Sequence, residues 1–256
     1  MNHEIENLAY RFQLSVQVYR DRQSSGIAAG QQAERVLKSC LETQSTARIV
    51  FAAAPSQNEM LSYLAVCDGI DWSRVEAFHM DEYIGLPSDS PQSFGSYLRT
   101  NFFDKVPVGN VTFLNGNADP QEECARYGDL LRRAPIDLVL MGIGENGHIA
   151  FNDPPVADFS DPHTVKAVEL DEACRIQQVN DGCFESFGNV PTHALTLTIP
   201  TLMSAGVLVC TVPGPAKAPA VGRMMGGPIE TSCPATILRK HPQCYCYFDL
   251  DSAAEL

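Results

Sequence analysis

Apolar residues fall in two rhythms along this chain. The first is the three-to-four-residue spacing of an amphipathic helix. Between Ser24 and Leu41, one face collects Ile27, Ala28, Val36, Leu37, Cys40 and Leu41. The second is the unbroken run of a strand buried on both sides, Arg48-Ile49-Val50-Phe51-Ala52-Ala53-Ala54. Pro55-Ser56 ends that run, and helical spacing resumes from Glu59 to Cys67. The order is strand, polar loop, helix.

The same unit recurs. Further strands are predicted at Val75 to Met80, Ile136 to Met141 and Val207 to Val212, with shorter ones at Val165 to Val168, Ala194 to Ile199 and Tyr245 to Phe248. Helices are predicted at Ser93 to Phe103, Pro120 to Leu131, Ala216 to Met225 and, briefly, Pro234 to Leu238. A short helix or turn begins at Pro200, and Asn115-Gly116 marks a turn. Continuous apolar strands alternating with helices predict one α/β domain over residues 1–256. Its architecture is three-layered and doubly wound, around a mostly parallel sheet of Rossmann-like topology. No repeat or linker divides it. In such sheets ligands bind beyond the carboxyl ends of the strands. Four polar clusters fall there: Pro55 to Glu59, Asp81-Glu82, Gly142 to Asp153 and Gly214 to Lys217.

Composition narrows the function. Hydrophobic residues are 45% and charged residues 19% of the 256, which suits a folded chain. The net charge is −13 and there is no basic tract, so neither nucleic acid nor an anionic membrane is an expected partner. The start, Met1 to Glu6, lacks the basic-then-apolar pattern of a signal peptide. Nine cysteines, an odd number with several inside apolar runs, read as reduced thiols in the cytoplasm. Cys244 and Cys246, two apart in a strand, read as packing residues on one face.

The loop Met141-Gly142-Ile143-Gly144-Glu145-Asn146-Gly147-His148-Ile149-Ala150-Phe151-Asn152-Asp153 carries the densest chemistry. Its glycines match GxGxxG, but no helix follows and the loop runs into prolines, so a dinucleotide site is not expected. A P-loop lysine is absent as well. His148 with Asp153 five residues on fits a proton shuttle held in one tautomer, or a histidine that ties the loop together. Asp81 and Glu82 follow a strand directly. Burying adjacent carboxylates raises the pKa of one, which suits a base for a carbon acid. Equally, Asp81 could cap the next segment while Glu82 is solvated. His79, two residues before Asp81, raises a metal pair, but no third ligand is close in sequence and no metal is assigned. Ser56, Gln57 and Asn58 can present donors to an anion or to sugar hydroxyls; Ser56 can also be a plain N-cap with Glu59 completing the box. Lys217 adds an ammonium near a helix start, where a lone lysine is usually solvent-facing.

Phe78-His79-Met80-Asp81-Glu82-Tyr83-Ile84-Gly85-Leu86-Pro87 and the loop from Gly142 to Asn152 resemble the glucosamine-6-phosphate deaminase (isomerase) family, in a superfamily that includes 6-phosphogluconolactonases and sugar-sensing domains. Asn101-Phe102-Phe103, Leu114-Asn115-Gly116-Asn117, Lys217 and His241-Pro242 match in order. The resemblance implies a deaminase that needs no cofactor and acts on a small amino sugar, phosphorylated in the family. His148 would open the ring, Asp81 would move a proton from C2 to C1, and Asp153 would orient His148 with Asn146 in the relay. Gly144, Gly147, Glu82, Ser56, Gln57, Asn58 and Lys217 would contact substrate. Alternatives are a different amino sugar, such as galactosamine 6-phosphate, or a sugar sensor without turnover. Family members are often oligomeric, so a homo-oligomer is open.

Three departures stand out. The family's glycine- and threonine-rich phosphate loop is here Ala53-Ala54-Pro55-Ser56-Gln57-Asn58-Glu59, with a proline that lacks a donor and a glutamate that adds negative charge. Gln178 stands where the family has a phosphate-binding arginine, with Arg175 three residues before as a possible substitute. Asp153 replaces a glutamate and is one methylene shorter; a misplacement near 1 Å costs on the order of 100-fold in rate.

Overall fold

The computed structural model describes residues 14–87 and 89–256; the segment Met1 to Glu6 lies outside them. The first strand, β1 (Leu14–Tyr19), leads into the long helix α1 (Arg22–Thr43), whose N-cap Asp21 accepts from Ser24 N at 2.8 Å. β2 (Ala47–Phe51), a single turn at Pro55–Gln57 and α2 (Asn58–Val66) form the predicted strand, loop and helix. β3 (Val75–His79), β4 (Asp81–Tyr83), α3 (Phe94–Leu98, prolonged by a π-helical turn at Arg99–Phe103), β5 (Asn110–Thr112) and α4 (Pro120–Arg132) follow. Next come β6 (Leu138–Met141), β7 (Val165–Glu169), α5 (Glu172–Asn180), β8 (His193–Leu197) and α6 (Ile199–Met203). The chain ends with β9 (Val207–Val212), α7 (Ala218–Gly226) and β10 (Cys244–Asp249).

Seven strands form one parallel sheet in the order β1-β10-β9-β6-β2-β3-β5. Both faces are covered. One apolar core joins α1, α2 and α3 to the sheet; the other joins α4, α6 and α7 to its opposite face. The architecture is therefore the three-layered, Rossmann-like α/β fold that the alternation of buried strands and helices predicts. Cys244 and Cys246 are both buried on one face of β10, with their sulfurs 3.8 Å apart.

The departure from that expectation concerns a second sheet. β4, β8 and β7 pair antiparallel, apart from the large sheet. The sequence shows strands at 165–168 and 194–199 but not which partners they take, because period and apolarity do not encode pairing. The predicted strand 75–80 stops at His79. Met80 bends the chain, its N–H donating to Phe51 O at 3.1 Å and its carbonyl accepting from Leu197 N at 2.8 Å. Met80 thus stitches the two sheets together, and Asp81 opens the small one at the carboxyl edge of the large one.

Candidate active site

The strands of the large sheet run parallel, so the turns after β2, β3, β6 and β9 emerge on one edge. They line an open cleft whose wall includes Ser56, Gln57, Asp81, Gly144, His148 and Lys217.

The loop after β6 is tied from several directions. Asn152 Nδ2 donates to Ile149 O and to Leu197 O, each at 2.9 Å, and Ala235 N donates to Gly147 O at 2.8 Å. Ala150 takes φ 48°, a left-handed conformation uncommon for a residue with a side chain, and it faces the cleft. Gly144 N donates to His148 O at 2.9 Å, and the imidazole lies on the Gly144 backbone so closely that a Cβ there would overlap the ring. Only glycine fits at 144.

His148 is oriented by two neighbours at once. Its Nδ1 lies 2.9 Å from Asp153 Oδ1 and 2.9 Å from Asn146 Oδ1. Asn146 Nδ2 in turn donates to Asp153 Oδ1 at 2.8 Å, and Asn146 Oδ1 also accepts from His148 N at 2.9 Å. With Nδ1 engaged, Nε2 is left for proton exchange. Asp153 is 1% exposed. Burial pushes its carboxyl up, but the attraction of His148 and the bonds from His148 and Asn146 outweigh that and hold it below the ordinary aspartate value. The shorter side chain at 153 still reaches the imidazole.

Asp81 lines the same cleft and is buried. Its carboxyl is pushed well above the ordinary value, first by burial and then by the negative charges of Glu82 and Asp153. A carboxylate so destabilised is a stronger base than a solvated one.

Glu82 does not face the cleft. Its carboxylate accepts from Tyr83 N, Phe94 N and Gly95 N at 2.9, 3.0 and 2.9 Å, closing the start of α3. Neighbours along a strand point to opposite sides, so Asp81 and Glu82 cannot both reach one ligand. Asn58 is also turned away, its Oδ1 accepting from Tyr97 OH, which also donates to Ala54 O at 2.7 Å. Gly147, at φ 88°, packs behind the loop against Cys233. Arg175 is no substitute for a cleft arginine: its Nη2 donates to Phe187 O and Val190 O at 3.1 and 2.8 Å, and its guanidinium stacks on Phe187. Gln178 does line the cleft, and its Oε1 accepts from Tyr83 OH at 2.8 Å. Its amide nitrogen remains for a ligand. Ser56 and Gln57 line the cleft beside each other, with Gln57 Nε2 donating to Ser56 Oγ at 3.0 Å. Lys217 is 7% exposed and lines the cleft too. Burial lowers its pKa, while Asp181 and Glu145 pull it back up.

His79 plays no part in the cleft. It is fully buried, its Nε2 accepts from Leu114 N at 2.8 Å, and burial lowers its pKa to about 3. A neutral imidazole that holds the chain just after β5 is not a metal partner for Asp81. Among the described residues, the donor atoms of His148, Asp153 and Cys174 lie within 4.8 Å of one another. An imidazole, a carboxylate and a thiol can hold a divalent ion, but Nδ1 and Asp153 already stand at hydrogen-bond distance.

Three further cleft residues, Arg22, Gln177 and Asp181, escaped the sequence reading. Gln177 and Asp181 lie on α5 and at its end, a segment with too few apolar residues to be read as a helix. Arg22 precedes the apolar face of α1 and carries no motif.

A Rossmann-like sheet sets a buried acid and a carboxylate-oriented imidazole around one cleft, an arrangement suited to proton transfer. The family model described as glucosamine-6-phosphate isomerases/6-phosphogluconolactonase matches residues 20–246. The chain belongs to that family. It is 43% identical over 176 residues to a glucosamine-6-phosphate deaminase of an Exiguobacterium species, covering 68% of this chain and 67% of the relative. It is 40% identical over 174 residues to one of Bacillus cytotoxicus, covering 68% and 64%. The match thus spans about two thirds of those relatives' length. Among solved structures, a monomeric glucosamine-6-phosphate deaminase superposes with a TM-score of 0.87 at 28% identity, covering 94% of this chain and 100% of that one. A 6-phosphogluconolactonase from Thermotoga maritima shares the fold, with a TM-score of 0.76 at 18% identity over 92% of this chain and 99% of that one.

Proposed function

We propose that the chain deaminates glucosamine 6-phosphate by aldose–ketose isomerisation, with release of ammonia. One observation carries the reading: Asp81 and His148 line the same cleft, and Asn146 and Asp153 hold the His148 imidazole from behind. The isomerisation needs two separate proton-transfer groups. Nε2 of His148 exchanges a proton with the ring oxygen, and Asp153 balances the charge that the imidazole gains. The Asp81 carboxylate takes the C2 proton of the open-chain aldose. C2–H breaks, the C1–C2 enolamine forms as O1 takes up a proton, and the same carboxyl returns the C2 proton to C1 while the nitrogen gives one up. The resulting C2 imine adds water and expels ammonia, leaving the ketose phosphate. Redox state does not change overall, so this chemistry calls for no redox cofactor. The relatives named glucosamine-6-phosphate deaminases, at 40 to 43% identity, support the choice of sugar.

The test is ammonia release and product identification with glucosamine 6-phosphate, galactosamine 6-phosphate and unphosphorylated glucosamine side by side. Saturable release with the first alone is expected. Preference for galactosamine 6-phosphate would transfer the assignment to that sugar, and silence on all three from folded protein would remove it.

A further inference from the structure

The cleft has an unexpected wall. Arg22, Gly26 and Gly30 follow one another at four-residue spacing and share a face of α1. A Cβ on Gly26 would overlap the side chain of Glu59, and one on Gly30 would overlap that of Tyr63. The two glycines therefore let α1 lie directly on α2, and that close crossing delivers Arg22 to the loop after β2. There its Nε donates to Glu59 Oε1 at 2.6 Å and its Nη2 donates to the Pro55 carbonyl. A guanidinium has five N–H donors in a rigid fork. Two are used here, and the group forms part of the same cleft wall as Ser56, Gly144 and Lys217.

The charge inventory of the cleft gives this placement its meaning. Among its described lining residues the cationic side chains are Arg22 and Lys217, and the acidic ones are Asp81 and Asp181. Gln178 brings no charge, Arg175 is turned away, and Pro55 offers no N–H. Lys217 alone leaves a dianion under-neutralised. Glu59, which looks in the sequence like a charge hostile to an anion, is instead bonded to Arg22 and fixes it in place.

We propose that Arg22 is a specificity-determining residue that supplies the second cation of the cleft and, with Lys217, selects a substrate ending in a phosphate. This rests on the reading of the cleft as an amino-sugar-phosphate site and assigns the group that recognises its far end. In this assignment Arg22 acts on binding rather than on the proton transfers.

The experiment compares wild type, Arg22→Ala and Arg22→Lys in steady-state kinetics with glucosamine 6-phosphate and in calorimetric titrations with inorganic phosphate and with glucosamine. A charge-assisted hydrogen bond to an anion corresponds to a loss of about 10- to 100-fold. That loss is expected in kcat/KM for Arg22→Ala, almost entirely through KM. Phosphate affinity should fall in parallel and glucosamine affinity should hold. Arg22→Lys should recover part of the phosphate affinity. Unchanged KM and phosphate affinity in Arg22→Ala would overturn the assignment. Equal loss of phosphate and glucosamine, without recovery in Arg22→Lys, would make Arg22 a loop brace and overturn it too. If wild type releases no ammonia, the reaction assigned above fails, and the phosphate titrations decide Arg22 on their own. Wild type that binds no phosphate would overturn it directly.

Discussion

At the scale of single residues, Asp81 sets function against stability. Its folded pKa is raised, chiefly by burial, so the folded state holds the proton more tightly than the unfolded chain does. Asp81 therefore favours folding most at pH values below the unfolded value, and that contribution is lost as pH rises through the raised folded value. Two outcomes follow. Asp81→Asn should lower turnover by at least about 10²-fold, since general-base catalysis contributes 10²–10⁴-fold. It should also melt no lower than wild type near neutrality and lose part of the decline in stability between acid and neutral pH. Thermal melts of both proteins across that range check this, and a lower melting temperature at every pH would contradict it. Catalysis needs the ionised form, so the acid limb of kcat/KM should lie above the pH expected of a solvated aspartate. A limb at the ordinary aspartate position would assign it to another group. His148→Gln should impair a cyclic substrate more than an open-chain analogue. Equal losses on both would remove ring opening from His148.

Part of the geometry of the cleft was legible residue by residue. The five-residue spacing of His148 and Asp153 and the loop glycines pointed to a relay, and the 2.9 Å contact between the two side chains agrees. The direction of Glu82 was not legible, because only the second sheet decides which face of β4 meets the cleft. Asn58 could not be told from its neighbours, since polar loop residues bind ligands and their own scaffold alike. Here Tyr97 takes it.

At the scale of elements, legibility followed burial. β2, β3, β6 and β9 are buried almost throughout and read as continuous apolar runs. β1 lies at one edge with mixed exposure and β5 is three residues at the other, so neither stood out. α5 has only three buried residues and was missed, although it carries Cys174, Gln177 and Gln178. Helix-to-strand attachment was invisible for another reason: it depends on single polar contacts. Tyr127 of α4 is one. Its hydroxyl accepts from His79 N at 2.8 Å and donates to His79 O at 2.9 Å, just before the chain bends toward Asp81. Tyr127→Phe leaves a buried N–H unpaired and should cost about 1–3 kcal/mol in denaturant-induced unfolding. A change within about 0.5 kcal/mol would show that the bond does not anchor the strand end.

At the scale of the whole molecule, the topology does the gathering. Residues 56, 81, 148 and 217 are far apart in the chain and meet because four parallel strands end on one edge. The sequence showed this convergence through the polar clusters after each apolar run, before any distance was known. It did not show the small antiparallel sheet that turns Asp81 inward, nor the crossing of α1 over α2 that brings Arg22 to the cleft. Both depend on pairings between distant segments. A net charge of −13 surrounds a cleft whose wall holds two cations, so recognition of an anionic ligand is a local property of that wall.

In the proposed reaction one chain carries out both proton transfers of an amino-sugar isomerisation, with Asp81 as the carbon base. Its most direct test is simultaneous measurement of ammonia and ketose phosphate from glucosamine 6-phosphate with wild type and Asp81→Asn at matched, substrate-saturating concentrations. Equal amounts of the two products are expected from wild type and the loss of both in the variant, with substrate binding retained. Undiminished formation of both products by Asp81→Asn would contradict it.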